Sequence, residues 1–239
     1  MQYRHFEAGN YEDFASGRVI VHRAGFPNFP VRLAGEIFMQ CLEIAGKDSA
    51  VLYDPCCGGA YVLTVLGLLC GEHVEAIYAS DISAEAVALA QANLNLLTPR
   101  GLDNRRAQLA GLYEQFGKQS HFDALKSVGR LEELLLRRDT PIPCAAFQAD
   151  IMDETALSAA NFKADIVFVD APYGNLAHWS QDGPHALDKL LCAVRPVLAD
   201  GAVAALCSDK SQKIQGGQFK RVRKILVGKR KIELLQKVT

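Results

Sequence analysis

The chain has 239 residues, of which 49% are aliphatic, aromatic or cysteine and 22% charged, with a formal net charge of -1. That composition excludes disordered, collagen-like and coiled-coil classes and supports one substantial core, so residues 1–239 are expected to form a single domain. No apolar run approaches the ~20 residues of a membrane span, and the N-terminal MQYRHFEAGNYEDF is too polar for a secretory signal, so a cytoplasmic protein is expected.

Seven cysteines, Cys41, Cys56, Cys57, Cys70, Cys144, Cys192 and Cys207, form no C-x-x-C pair and no His/Cys ligand spacing. Neither a disulfide framework nor a metal site is expected, and most of these side chains read as small buried hydrophobes. The near-zero net charge hides a segregation: residues 210–239 hold ten of the 26 Lys and Arg and only one acid, Glu233. This tail carries +9 and residues 1–209 carry -10, a pattern suited to a polyanionic partner.

Strand-length apolar runs alternate with helix-periodic segments, which predicts an α/β protein with a mostly parallel sheet and crossover helices. Strands are expected at 50–54 (AVLYD), 75–80, 144–149, 165–170 (DIVFVD) and 202–207. A helix over 60–70 is expected to stop at a Gly71 cap. Another over 84–97 is expected to follow the capping residue Ser83, with Val87, Ala90, Leu94 and Leu97 on one face. A third is expected near 184–195. Segment 98–140 is too long for an ordinary connection and reads as a helical insertion. The end, FKRVRKILVGKRKIELLQKV, breaks at Gly228 and Lys229 into two β-rich stretches, an antiparallel hairpin that would complete a seven-stranded, Rossmann-like sheet.

The first strand runs into DPCCGGAY, a glycine-rich turn that lacks the G-x-G-x-x-G spacing and the Walker lysine. Four expected strands end in acids: Asp54, Asp81, Asp150 and Asp170. An Asp after a strand is commonly a turn former, yet four in register at the ligand-binding edge of such a sheet argue for a common ligand. Asp54 suits a cationic amine, Asp81 a pair of ribose hydroxyls, and Asp150 an adenine amino group, with Ile151 packing on the ring. So many carboxylates serve a phosphate poorly. A ligand with ribose, adenine and a cationic end is expected, which points to S-adenosylmethionine; Cys57, Gly58 and Gly59 would frame its methionine half, and Ile82 beside Asp81 is assigned to the same site.

With these residues in place, the pattern DPCCGGAY, SDIS, AD and DAPYG resembles the class I S-adenosylmethionine-dependent methyltransferases. FPVRLAGEIF (29–38), DPCCGGAYVLTVLGLL (54–69), EQFGKQSHFDAL (114–125), DAPYGNLAHW (170–179) and SDKSQKI (208–214) are similar to the avilamycin-resistance rRNA guanine methyltransferases, over nearly the whole chain. The resemblance implies methyl transfer to the exocyclic N2 amine of a guanine in 23S rRNA. Asp170 and the Pro172 carbonyl would accept the amine's hydrogens, and Tyr173 would stack on a flipped base. It further implies that Arg32 reaches the methionine carboxylate.

Adenine-N6 methylation of RNA or DNA, and a non-catalytic protein binding cofactor and RNA, are the alternatives. His178 and Trp179 line the base pocket or pack beneath the loop. Arg105, Arg106, Lys118, Lys210 and Lys213 are the expected RNA contacts, with other basic residues of the tail, Arg230 among them, alongside. Two positions depart from the family pattern. Ala60 follows Gly58 and Gly59 where Gly-Ser-Gly is usual, tolerable at negative φ and otherwise costly to cofactor affinity, and Ala171 replaces the first proline of a Pro-Pro pair.

Overall fold

In the computed structural model of the chain, residues 2–15, 17–22, 29–153, 155–171, 186–210, 212–215, 217–228 and 230–238 are described. In chain order these contain α1 (Val31–Ala45), β1 (Ala50–Asp54), α2 (Tyr61–Leu69), β2 (Val74–Asp81), α3 (Ala84–Leu94), α4 (Pro99–Phe116) and α5 (Gln119–Leu135). There follow β3 (Cys144–Gln148), β4 (Ala164–Asp170), α6 (Ala186–Val194), β5 (Leu198–Asp209), β6 (Phe219–Val227) and β7 (Arg230–Lys237).

The strands form one sheet of order β3-β2-β1-β4-β5-β7-β6. β1 to β5 pair in parallel, and β7 runs antiparallel to both β5 and β6. The chain enters at β1 and builds outward to β3, then returns to β4 on the other side, so a crevice opens between the carboxyl ends of β1 and β4. β4 shows why the centre is stable: ADIVFVD is buried from Ala164 through Val169, the continuous apolar run required of a parallel strand covered on both faces. One face carries Leu52, Ile166, Phe168, Val203, Ala205 and Leu234 in a core shared with α1 and α2. The other carries Tyr53, Val167, Val169, Ala204 and Leu206 against Leu187, Leu190 and Leu191 of α6.

Local chemistry sets the helix ends. Ser83 accepts the Ala86 N–H and caps α3, as expected. Thr98 accepts the Gly101 N–H, Pro99 opens α4, and Gly117 at φ +59° closes it into the turn before α5. Gly71 does not cap α2. That helix ends at Cys70, whose N–H returns to the Leu66 carbonyl, and Gly71 opens a 3-10 turn leading into β2. The insertion is helical, and Leu102, Leu109, Val128 and Leu131 bury within the core formed with α1 and α2. Of the cysteines, Cys41, Cys57, Cys70 and Cys207 are buried while Cys192 is exposed. No helix among the described residues is long and apolar enough to cross a membrane.

Candidate active site

The turn after β1 is held from three directions. Asp54 is buried, and its Oδ1 accepts the Cys56 N–H at 2.9 Å. Asp81, at the end of β2, accepts the Gly58 N–H at 2.9 Å through Oδ2 and the Ser83 N–H at 3.0 Å through Oδ1. The Cys57 N–H donates to the Ser80 carbonyl at 2.9 Å. Gly58 sits at φ +51°, where a side chain is strained. A Cβ on Gly59 would lie 2.7 Å from Leu89 Cδ2, so α3 packs hard against the loop. Asn93, buried on α3, donates to the Gly59 carbonyl at 2.8 Å and exchanges two bonds with the backbone of Val21.

Ala60 adopts φ +52°. The negative φ on which its tolerance depended is absent, and the left-handed conformation costs a non-glycine residue about 1–2 kcal/mol. Its neighbours impose it: the Ala60 N–H donates to the Cys57 carbonyl, and its own carbonyl accepts from the Thr64 N–H and hydroxyl, starting α2.

Burial pushes the Asp54 carboxyl well above its ordinary range, opposed by the Cys56 N–H and reinforced by the charges of Asp81 and Asp170. Burial, with the charges of Asp54 and Asp81, likewise pushes the thiols of Cys56 and Cys57 up, so both stay protonated and are poor nucleophiles. Asp54, Asp81 and Asp170 thus make a negative field in which a cationic ligand is the natural complement.

Asp150 lies two residues beyond β3, exposed, with Oδ1 accepting the Met152 N–H at 2.9 Å. That turn sends Ile151 into the core, where it is 4% exposed. Ile82 instead offers the open aliphatic surface at this edge, 62% exposed. A flat apolar ligand therefore meets Ile82 first. Beneath lies an aromatic cluster in which Tyr78 stacks on Phe162 at 3.9 Å and Tyr53 meets Phe162 edge-on at 5.1 Å.

Asp170 ends β4, and the following Ala171 N–H donates to the Cys207 carbonyl at 2.8 Å. Asp170 Oδ1 is buried and accepts no hydrogen bond among the described residues. Burial raises its carboxyl to about 6, against the opposing pull of Arg230. Arg230 opens β7 and pairs across the ladder with Asp209. Its guanidinium lies 5.2 Å from the Phe29 ring centre, and its Nε is also buried without a hydrogen-bond partner among the described residues. Phe29 in turn meets Phe168 edge-on at 5.5 Å. Pro172, Tyr173, His178 and Trp179 lie outside the described residues.

The other sequence candidates divide by what already occupies them. Arg32 donates through Nε to the Phe6 carbonyl at 2.9 Å and stacks 3.8 Å over Tyr3. Arg105 is turned inward, where its Nε and Nη2 bind the carbonyls of Val19 and Arg18 and hold the N-terminal segment. Arg106 pairs with Glu132 at 2.6 Å and Asp103 at 3.2 Å. Arg105 is therefore corrected from a phosphate contact to a structural tie, because backbone carbonyls already satisfy it, whereas Arg106 remains 40% exposed beside its two acids. Lys118, Lys210 and Lys213 are exposed. The +9 tail is partly spent within the fold, since Lys231 and Arg221 flank the buried Glu233, each at 2.7 Å. Asn93 went unrecognised, and Arg230 was expected only as one more phosphate contact of the tail. Asn93 had no motif around it, and Arg230 was hidden among the tail's other cations.

A cavity lined by Leu68, Leu97, Leu135, Arg138 and Ile142 lies at the amino ends of the strands, away from the acids.

Acids converging at the β1/β4 crevice of a sheet in this order, with an antiparallel β7, define a class I methyltransferase. A family model for the rRNA methyltransferase AviRa matches residues 1–230. The chain belongs to this family of rRNA methyltransferases. It is 38% identical over 239 residues, 98% of this chain and 95% of the relative, to the "23S rRNA (guanine(2535)-N(1))-methyltransferase" of Streptomyces viridochromogenes. The solved structure of the rRNA methyltransferase aviRa from Streptomyces viridochromogenes superposes with a TM-score of 0.88 at 37% identity, covering 99% of this chain and 96% of that one. The 16S rRNA N2 methyltransferase RsmC of T. thermophilus, solved with AdoMet and guanosine, matches at TM-score 0.52 and 14% identity over 90% of this chain and 44% of that one, a likeness of fold alone.

Proposed function

We propose that the chain uses S-adenosylmethionine to methylate a guanine in 23S rRNA at N1, with Asp170 as the proton acceptor. The relative's name carries N1 rather than the exocyclic N2 expected from the DAPYG motif, and one property of the site favours that position. An exocyclic amine needs hydrogen-bond acceptors, whereas N1 of a neutral guanine has no available lone pair until its proton leaves. Asp170, buried, without a hydrogen-bond partner at Oδ1 among the described residues and raised to about 6, is a base poised for that removal near neutral pH.

The bound cofactor supplies an electrophilic methyl group on a sulfonium. The residues that would hold it are Asp54 toward the cationic methionine end, the Cys57-Gly58-Gly59 turn along its backbone, Asp81 at the ribose, and Asp150 with Ile82 and Ile151 at the adenine. The fit rests on the uncompensated acid field around Asp54 and on the exposed Ile82. Arg32 at the methionine carboxylate, the Pro172 carbonyl as a second acceptor and Tyr173 stacked on the flipped base complete the reading. Lys118, Lys210 and Lys213 would meet rRNA phosphates. Residues 1–239 are taken as one domain, because the insertion buries its apolar face in the core shared with α1 and α2.

The test is transfer of labelled methyl to 23S rRNA, ribosomal subunits and DNA, followed by nucleoside separation. Labelled 1-methylguanosine from 23S rRNA is expected. Label in 2-methylguanosine would overturn the N1 assignment, and label in N6-methyladenosine, or no transfer despite bound cofactor, would overturn the substrate.

A further inference from the structure

Asp170 Oδ1 and Arg230 Nε are buried neighbours, one an acceptor and the other a donor, and each lacks a hydrogen-bond partner among the described residues. They lie at the same edge of the sheet: Asp170 pairs with Cys207 on β5, and Arg230 pairs with Asp209 two residues further along it. The two atoms do not bond each other, although the Arg230 charge acts on the Asp170 carboxyl. Leaving both unmade costs the fold the full desolvation of two strong polar groups, which points to a ligand bearing a donor and an acceptor side by side.

We propose that Arg230 is a substrate-contacting, specificity-determining residue that donates to the guanine O6 while Asp170 receives the N1 proton. The proposal rests on the N1 reading given above. Guanine presents N1–H as a donor with O6 as an acceptor beside it, matching a carboxylate and a guanidinium in that order. Adenine presents the reverse, an acceptor at N1 and a donor at N6, and would set lone pair against carboxylate and N–H against N–H. A site built on buried polar groups rejects such a mismatch strongly.

Arg230 also answers an electronic need. When the N1–H bond breaks and its proton passes to Asp170, negative charge spreads onto O6, and the charge is lost again as the new N–C bond forms at N1. A preorganised guanidinium stabilises that charge where it develops. The guanidinium lies over Phe29, 5.2 Å from its ring centre, and Phe29 is itself braced edge-on by Phe168.

The experiment is steady-state methyl transfer to 23S rRNA by the full chain carrying Arg230→Met, Arg230→Gln or Arg230→Lys, with kcat and KM measured across pH and cofactor binding measured by calorimetry. Removing the charge is expected to lower kcat by about 10²-fold or more while KM for RNA stays within about threefold. It should also move the acidic limb of kcat to higher pH, because Arg230 no longer opposes the rise in the Asp170 carboxyl. Lys should return the limb to its wild-type position. Should Met abolish cofactor binding through misfolding, Gln, which keeps the bulk and a donor without the charge, carries the same expectations. A folded Met or Gln variant with wild-type kcat and an unmoved limb overturns the proposal, and so does a loss confined to KM, which would leave Arg230 a packing residue on Phe29. The wild-type product separates the two readings. A product other than 1-methylguanosine removes the N1 reading and this inference with it, whereas 1-methylguanosine with an insensitive Arg230 removes this inference alone.

Discussion

Replacing Asp170 by Asn keeps the size of the side chain and removes both its charge and its capacity to take a proton, so activity and stability should move in opposite directions. A positioned general base contributes about 10²–10⁴ in rate, and kcat should fall by that order with little change in cofactor affinity. The stability effect follows from the raised carboxyl. In the folded protein the group titrates near 6 rather than near its ordinary 3.8, so the ionised form is disfavoured by folding. The penalty is fully present above pH 6, shrinks as pH falls through the folded value, and vanishes below the unfolded one. At about 1.4 kcal/mol per pH unit this amounts to at most about 3 kcal/mol, and about 1–2 once solvent relaxation is allowed for. Thermal melting of cofactor-free protein across pH 4–8 should therefore show Asp170→Asn more stable than wild type at pH 7–8 and equal to it near pH 4. An Asn variant that melts at or below wild type throughout would refute the burial argument. One that keeps wild-type kcat would refute the proton-acceptor role.

Other outcomes follow from neighbouring positions. Ala60→Gly should raise stability by about 1 kcal/mol in denaturant unfolding, since it relieves a left-handed alanine at φ +52° and gives back part of the gain in chain entropy; a loss would mean that the conformation is not strained. Asn93→Ala should cost about 2–4 kcal/mol because it leaves the Gly59 carbonyl and both backbone groups of Val21 unbonded, and calorimetry should show weaker cofactor binding as the glycine turn loosens. The double variant Lys210→Ala, Lys213→Ala should weaken binding to any rRNA fragment alike and flatten the salt dependence of log K by about 1.5, with an unchanged slope excluding the β5–β6 connection from the interface.

Much of the architecture was legible because its signals are local. DIVFVD can only be a doubly buried strand, Ser83 an N-cap, and the 98–140 segment too long to be a loop; the antiparallel hairpin showed in its break at Gly228. The misreadings concern partners rather than elements. Gly71 looked like a helix stop, but the α2 end was already satisfied at Cys70. Arg105 looked free, and the carbonyls of Arg18 and Val19 claimed it. No local signal showed that Ile151 would pack into the core while Ile82 stayed at the surface.

By itself, the sequence determined that four acids lie at or just beyond the ends of successive strands behind a glycine-rich turn, because strand register and turn chemistry act over a few residues. Only the tertiary structure decided that burial pushes Asp54 and Asp170 upward, and that a cation, Arg230, lies near Asp170 to oppose the rise. Asp170 and Arg230 are sixty residues apart in the chain, and the depth at which each is buried, which sets both the proton affinity of one and the unmet donor of the other, exists only once β7 has slotted in beside β5.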